Sequence, residues 1–243
     1  MKLQSFKRYS LALVIVPLLL AGCGGSASGT SSSTTKSSQA STIVNHTPPP
    51  LEYGWTLASV KNEGFAIGLP PGWVKFDLSQ NDIQSGFSEM QQANPSLASS
   101  LSGEMASMAA QGIKLFAVDK YGNFASTGFA TNLNVIKLPL PGDVSLDELS
   151  QKAVDEIKQQ LHTDTPIQFF KNRMDLNSGE ALRLQYTINI NKPTGGSLDV
   201  SFTQYLAVAD GSYYVVTFTT TDNEFPTYAS AFDKSAKTLT FLK

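Results

Sequence analysis

The sequence predicts an α+β domain in which an antiparallel sheet carries helices packed on its faces. Three observations predict it. Two β-rich runs, Asp199 to Val208 and Ser212 to Thr221, are joined by Asp210-Gly211, a pair that favours the type I′ turn of a hairpin. Ser145 stands three residues before Glu148 at the head of an amphipathic stretch, the spacing of a reciprocal helix cap. Strand-like runs outnumber helical ones, and each adjacent pair is joined by a turn or by a helix able to lie across one face.

In chain order, Phe65, Ile67 and Leu69 alternate with Ala66 and Gly68, the period of a half-buried strand. Pro70-Pro71-Gly72 turns the chain, and Trp73, Val74 and Phe76 form a returning strand, with Trp73 expected in the core. Asn94 caps a helix that has Pro95 at its first position, Leu97, Leu101, Met105 and Met108 at helical spacing, and Gly112 as its stop. This helix, about 95 to 111, and a shorter one near 82–90 make a helical insertion at about 80–112. Its methionines, Met90 among them, suit a core or an adaptable groove. Ile113 to Val118 and Phe129 to Leu138 read as neighbouring antiparallel strands around a Tyr121-Gly122-Asn123 loop.

The capped helix spans about 146 to 161. Val144 and Leu149 occupy the positions of a hydrophobic staple, and Leu146, Leu149, Ala153, Ile157 and Leu161 mark one face. A short strand at Ile167 to Phe170 and a long one at Ala181 to Ile190 precede the hairpin. A last helix, about Pro226 to Lys237, turns Tyr228, Phe232, Ala236 and Leu239 to one side, and Phe241 closes the chain.

The string Gly64-Phe65-Ala66-Ile67-Gly68-Leu69-Pro70-Pro71-Gly72-Trp73, with the Asp-Gly hairpin, the Tyr213–Phe218 strand and the closing helix carrying Phe232, resembles the PsbP-like superfamily. The resemblance implies an αβα sandwich over most of 51–243, with the 80–112 segment as an insertion. It implies an accessory binding role rather than a reaction: characterised relatives include an extrinsic subunit of photosystem II and a Ran-binding nuclear import factor.

The first 22 residues have the order of an export leader: Lys2, Lys7 and Arg8, then an apolar run from Leu11 to Leu20 that is too short to span a bilayer. Leu20-Ala21-Gly22-Cys23 follows directly and resembles the bacterial lipobox, which implies lipid attachment at Cys23, the only cysteine. Two or three acyl chains hold a protein on a membrane where one holds it only reversibly. Of the 27 residues from 24 to 50, 19 are Gly, Ser, Thr or Pro, so Cys23 to Pro50 reads as a flexible tether reaching roughly 30 Å. The three predicted units are therefore 1–22, 23–50 and 51–243, on the outer side of a bacterial membrane.

Loss of the three leader cations takes the formal charge from −2 to −5, which leaves no basic footprint for nucleic acid. One cysteine excludes an intrachain disulfide. The sequence has no G-x-S-x-G, H-E-x-x-H, phosphate-loop or dinucleotide fingerprint, and nothing in it implies a cofactor or a metal. With His46 in the tether, His162 is the one imidazole expected in the domain, at a helix end that faces solvent. Asp143, Asp147 and Glu148 are accounted for by a helix start, and the adjacent Asp155 and Glu156 point apart.

Aromatic side chains are the remaining handle. Tyr53, Trp55, Tyr205, Tyr213 and Tyr214 are the candidate partner-binding residues, for an unknown protein or envelope ligand, wherever they are exposed. The resulting expectation is a membrane-anchored binding or assembly module without catalysis; the alternative is an envelope enzyme or small-molecule carrier acting on glycan or lipid. Intact-mass analysis of the exported protein should find a lipidated chain beginning at Cys23, and Cys23→Ser should abolish the modification. An unmodified soluble chain would refute the anchor.

Overall fold

Asp210 and Gly211 both take positive φ, 47° and 69°, and form the expected type I′ turn. They join β8 (Ser197–Ala209) to β9 (Ser212–Thr221), paired from Ala209 opposite Ser212 to Val200 opposite Thr221. The computed structural model describes residues 46–78, 83–140, 142, 144–161, 167–192 and 196–243. Around this hairpin a seven-stranded antiparallel sheet is assembled from β3 (Trp73–Asp77), β4 (Ile113–Asp119), β5 (Asn132–Pro139), β6 (Phe170–Leu176) and β7 (Gly179–Asn191), in the order β3-β4-β5-β9-β8-β7-β6. A smaller sheet, in the order β1-β2-β10, is formed by β1 (Thr56–Val60), β2 (Phe65–Leu69) and β10 (Thr240–Phe241).

Nine of the ten residues of β9 are buried, so both its faces need cover. Alternation sorts its side chains: Tyr213 and Val215 join one core, Tyr214, Val216 and Phe218 the other. The first core is roofed by helices. Met90 of α1 (Gln84–Ala93), Leu97 and Leu101 of α2 (Pro95–Ser102), Met105 and Met108 of α3 (Met105–Ala110), and Leu149, Ala153 and Ile157 of the helix Leu146–Leu161 are all buried there. The second core is closed by the small sheet and by the helix Phe225–Lys237. Phe65, Ile67 and Leu69 lie there beside Trp73, Phe232 and Phe241, and the rings of Phe218 and Phe232 stack at 4.7 Å. Helices on one face and a helix with three short strands on the other give the α+β sandwich expected. With the four-residue turn α4 (Phe124–Thr127) counted, the last two helices are α5 (Leu146–Leu161) and α6 (Phe225–Lys237).

Local chemistry fixes the helix starts. Asn94 accepts from the Leu97 amide at 3.1 Å with Pro95 first in α2. The Ser145 amide donates to Glu148 Oε2 at 2.8 Å, and the Glu148 amide donates to Ser145 Oγ at 3.2 Å. The Ser145 amide and the Ser145 hydroxyl, which also donates to Oε2 at 2.8 Å, stabilise the charged form of Glu148, and its carboxyl sits below the usual range, chiefly through the backbone donor. Val144 and Leu149 both join the helix-roofed core, as a staple requires.

Several expectations need correction. The run 65–69 is buried on both sides rather than half-buried, and it does not form a hairpin with 73–77: Pro70-Pro71-Gly72 carries the chain from the small sheet into the large one. Leu51 and Thr238 cover the outer side of β2, so closely that a Cβ on Gly68 would fall 2.8 Å from Leu51 Cδ2. The helix expected over 95–111 is two helices broken at Gly103-Glu104; Leu101 and Met105 stay buried across the break, so the apolar spacing does not register it. Residues 167–169 are not strand, and β6 instead occupies 170–176 with mostly exposed side chains. Strands β1 and β10 and the turn α4 were not foreseen. Residues 46–50, expected in the tether, lie on the domain: the His46 ring bonds to the Phe241 carbonyl at 2.8 Å, and Asn177 donates to the Thr47 carbonyl at 2.9 Å. The leader, Cys23, Asp143 and His162 lie outside the described residues.

Two substitutions test the docking of α5. Ser145→Ala should cost about 0.5–2 kcal/mol through the lost cap. Leu149→Ala should cost about 2–5 kcal/mol, because it empties a fully packed site over the sheet. Urea midpoints should rank wild type, then Ser145→Ala, then Leu149→Ala; coincident midpoints would mean that α5 does not contribute to the cooperative core.

Candidate functional site

Of the five aromatic residues proposed for recognition, the structure exposes Tyr53 completely, leaves Trp55 half-buried and buries the other three. Tyr205 and Tyr214 point into the second core and Tyr213 into the first, so none of these rings reaches a partner. The reason is the double cover of the hairpin: with both faces roofed, alternation no longer sends one side chain in two to water. Burial, the leading cause, pushes the phenols of Tyr186, Tyr205 and Tyr213 well above their ordinary value, and that of Tyr214 to about 12. They stay neutral at physiological pH.

The two remaining aromatics lie on the segment that enters β1. It runs along the outside of α6 and β2, pinned by His46, Thr47 and Leu51 as described above. At Gly54, with φ 81°, it turns against Pro71. Trp55 closes a turn onto the Glu52 carbonyl at 3.1 Å. Between this segment, the end of α6 and the β6–β7 turn lies an open groove of about 340 Å³. Trp55, Pro49, Pro50 and Leu51 supply its apolar wall, while Glu52, Asp175, Asn177, Lys234 and Lys237 supply its polar edge. Glu52 and Lys234 form an ion pair at 2.8 Å, with both side chains more than half exposed; such a pair is worth roughly 0–1 kcal/mol and yields readily to a ligand. Asn177 is held by its bonds to Thr47 and to Thr240 Oγ1, at 2.9 Å each, and is a fixed part of the rim.

This lining combines one indole, a proline-rich wall and side chains able to donate and accept. That combination suits recognition of a partner by contact area and hydrogen bonds. No imidazole or thiol is among the described lining residues. Elsewhere, three carboxylates are tied into the fold. Asp119 accepts from Tyr228 at 2.6 Å, Asp233 accepts from Tyr205 and pairs with Arg183, and Asp147 pairs with Arg173. Among the described residues no group of three or more His, Cys, Asp or Glu could hold a metal, and no helix is long and apolar enough to cross a membrane. Sequence reasoning found Tyr53 and Trp55 but missed the charged and amide groups of the rim. Asp175, Asn177, Lys234 and Lys237 come from distant parts of the chain and share no spacing. It also missed Tyr121, a second exposed ring, seated on Gly72.

Solved structures similar to this chain include cyanobacterial PsbP from Synechocystis, at 14% identity over 77% of this chain and 92% of that one, with a TM-score of 0.45. The Ran-binding protein Mog1p of Saccharomyces cerevisiae matches at 9% identity over 78% and 96%, with a TM-score of 0.46. LpqN of Mycobacterium tuberculosis, involved in cell envelope biogenesis, matches at 18% identity over 54% and 72%, with a TM-score of 0.37. No protein-family model matches the sequence, and no curated protein does.

The tyrosines give a sharp test of burial. Tyr213 buries a hydroxyl that has no hydrogen-bond partner among the described residues, so Tyr213→Phe should change stability by less than about 0.5 kcal/mol or raise it. Tyr205 donates to Asp233, so Tyr205→Phe should cost about 1.5–3 kcal/mol by leaving that carboxylate short of a donor. Thermal midpoints of the two variants, measured side by side, should separate; equal losses would contradict the assigned partners.

Proposed function

We propose that this chain is an exported lipoprotein, anchored through Cys23, whose PsbP-like domain is a binding or assembly accessory module without catalysis. The single observation that carries the recognition part is the groove at Trp55. It sets an indole half-open to solvent against a rim of hydrogen-bonding side chains from α6, the end of β6 and the β6–β7 turn, and Tyr53, two residues before Trp55 and outside the lining, is fully exposed. Trp and Tyr are enriched among the few residues that carry most of the binding energy at protein–protein interfaces. The leader, the lipobox-like Leu20-Ala21-Gly22-Cys23 and the Ser/Thr-rich stretch that follows support placement on the outer side of a membrane. The string from Gly64 to Trp73 and the closing strand and helix support the PsbP-like reading. The acidic balance speaks against nucleic acid as the partner.

A photo-crosslinking residue at position 55, in the anchored protein in its own envelope, is expected to give a discrete adduct, and one at the buried position 76 is not. Trp55→Ala should weaken capture of the same partner about tenfold or more, Tyr53→Ala less, with unfolding midpoints unchanged. His162→Ala should leave envelope function intact. Loss of function confined to His162→Ala, in a chain that folds normally, would make acid–base catalysis the better reading.

A further inference from the structure

A second recess, of about 360 Å³, lies on the helix-roofed face of the sheet, between α5 and the segment leading into β6. Its apolar part is small: Val154 from α5, with Ile167 and Phe169 from the approach to β6; Gln151 of α5 also lines it. Two lysines stand over this apolar floor. Lys158 holds its ammonium 5.7 Å from the centre of the Phe169 ring, and Lys171 donates to Ser150 Oγ at 3.1 Å. Among the described residues neither ammonium has a carboxylate within ion-pair distance. Arg173, two residues along β6, contrasts with them, being bound to both Asp147 and Glu180. Directly behind Phe169, with ring centres 5.2 Å apart, is Tyr186, stacked in turn on Phe202; its buried hydroxyl has no partner among the described residues.

These features select a ligand by exclusion. A small hydrophilic anion would satisfy the lysines and leave Val154, Ile167 and Phe169 without use. A neutral apolar molecule would cover the floor and strip water from two ammonium groups that have no counter-charge among the described residues, which is costly. A molecule with an anionic head and an apolar chain meets both demands: the head accepts charge-assisted hydrogen bonds and the chain gains from removal of apolar surface from water. The apolar floor is only three side chains wide, which suits one chain rather than several.

We propose that this recess binds a single anionic amphiphile, with its head at Lys158 and Lys171 and its chain on Val154, Ile167 and Phe169. The site is separate from the Trp55 groove and stands or falls independently of it. The full chain should be titrated calorimetrically with dodecanoate below its micellar concentration, with dodecanol and inorganic phosphate as comparators. One dodecanoate per chain is expected. Lys158→Gln and Lys171→Gln should each weaken it about tenfold without moving the unfolding midpoint, and Phe169→Ala should weaken it comparably. Unchanged affinity in the double lysine variant would overturn the proposal. So would equal affinity for dodecanol or for phosphate, or binding to phosphatidylglycerol vesicles with none to monomeric dodecanoate.

Discussion

A strand buried on both faces tolerates water on neither, and β9 is such a strand. Its two neighbours, β5 and β8, are fixed by main-chain pairing, but its side chains need a layer above and a layer below. The helical insertion and α5 provide one layer. The other is provided by α6 and the small sheet, where Phe232 stacks on Phe218 and Phe241 lies against Tyr214 at 4.5 Å. The two ends of the domain are thereby drawn into the same core: β2, paired on one side with β1, pairs on its other side with β10 from the end of the chain. Closing the second face accordingly depends on a strand of only two residues and on the segment from His46 to Trp55 that covers β2.

That dependence explains what could be read from the amino acids and what could not. Elements with a local signature were legible: the Asp-Gly turn, the Ser145–Glu148 cap, the Asn94-Pro95 start and the apolar runs of β4, β5, β8 and β9. Elements that exist because something else needs cover or pairing were not. In β1 only Ala58 and Val60 are buried, so five residues carry too little alternation to announce a strand. In β6 the side chains are exposed almost throughout, and the strand is held by backbone pairing from Phe170 opposite Gln185 to Leu176 opposite Gly179. The break at Gly103 is hidden because the buried stripe continues across it.

The same physics governed the candidate site. Tyr205, Tyr213 and Tyr214 looked available because a hairpin in isolation has an outer face, and here it has none. Trp55 was legible as an aromatic residue outside any core strand. Its neighbours were not, since a groove edged by Glu52, Asp175, Lys234 and Lys237 is a property of the folded arrangement and of no sequence window. His46 shows the converse error: composition assigned it to a tether, and one hydrogen bond to Phe241 places it on the domain.

Both recesses border β6, and there is a reason that surface chemistry collects there. Strand β6 is held by backbone bonds to β7 alone and, unlike the opposite edge strand β3, leaves most of its side chains exposed, so they can vary in charge and size without loss of the fold. In β6 this freedom gives Lys171 to the recess beside α5 and Asp175 to the groove beside Trp55, while Arg173 between them is neutralised by Asp147 and Glu180. The layers above and below end near this edge, and ends of layers are where concave surface forms. In a domain whose central strands are sealed on both faces, concave surface is left to such margins, and a strand with little sequence signature lines part of it.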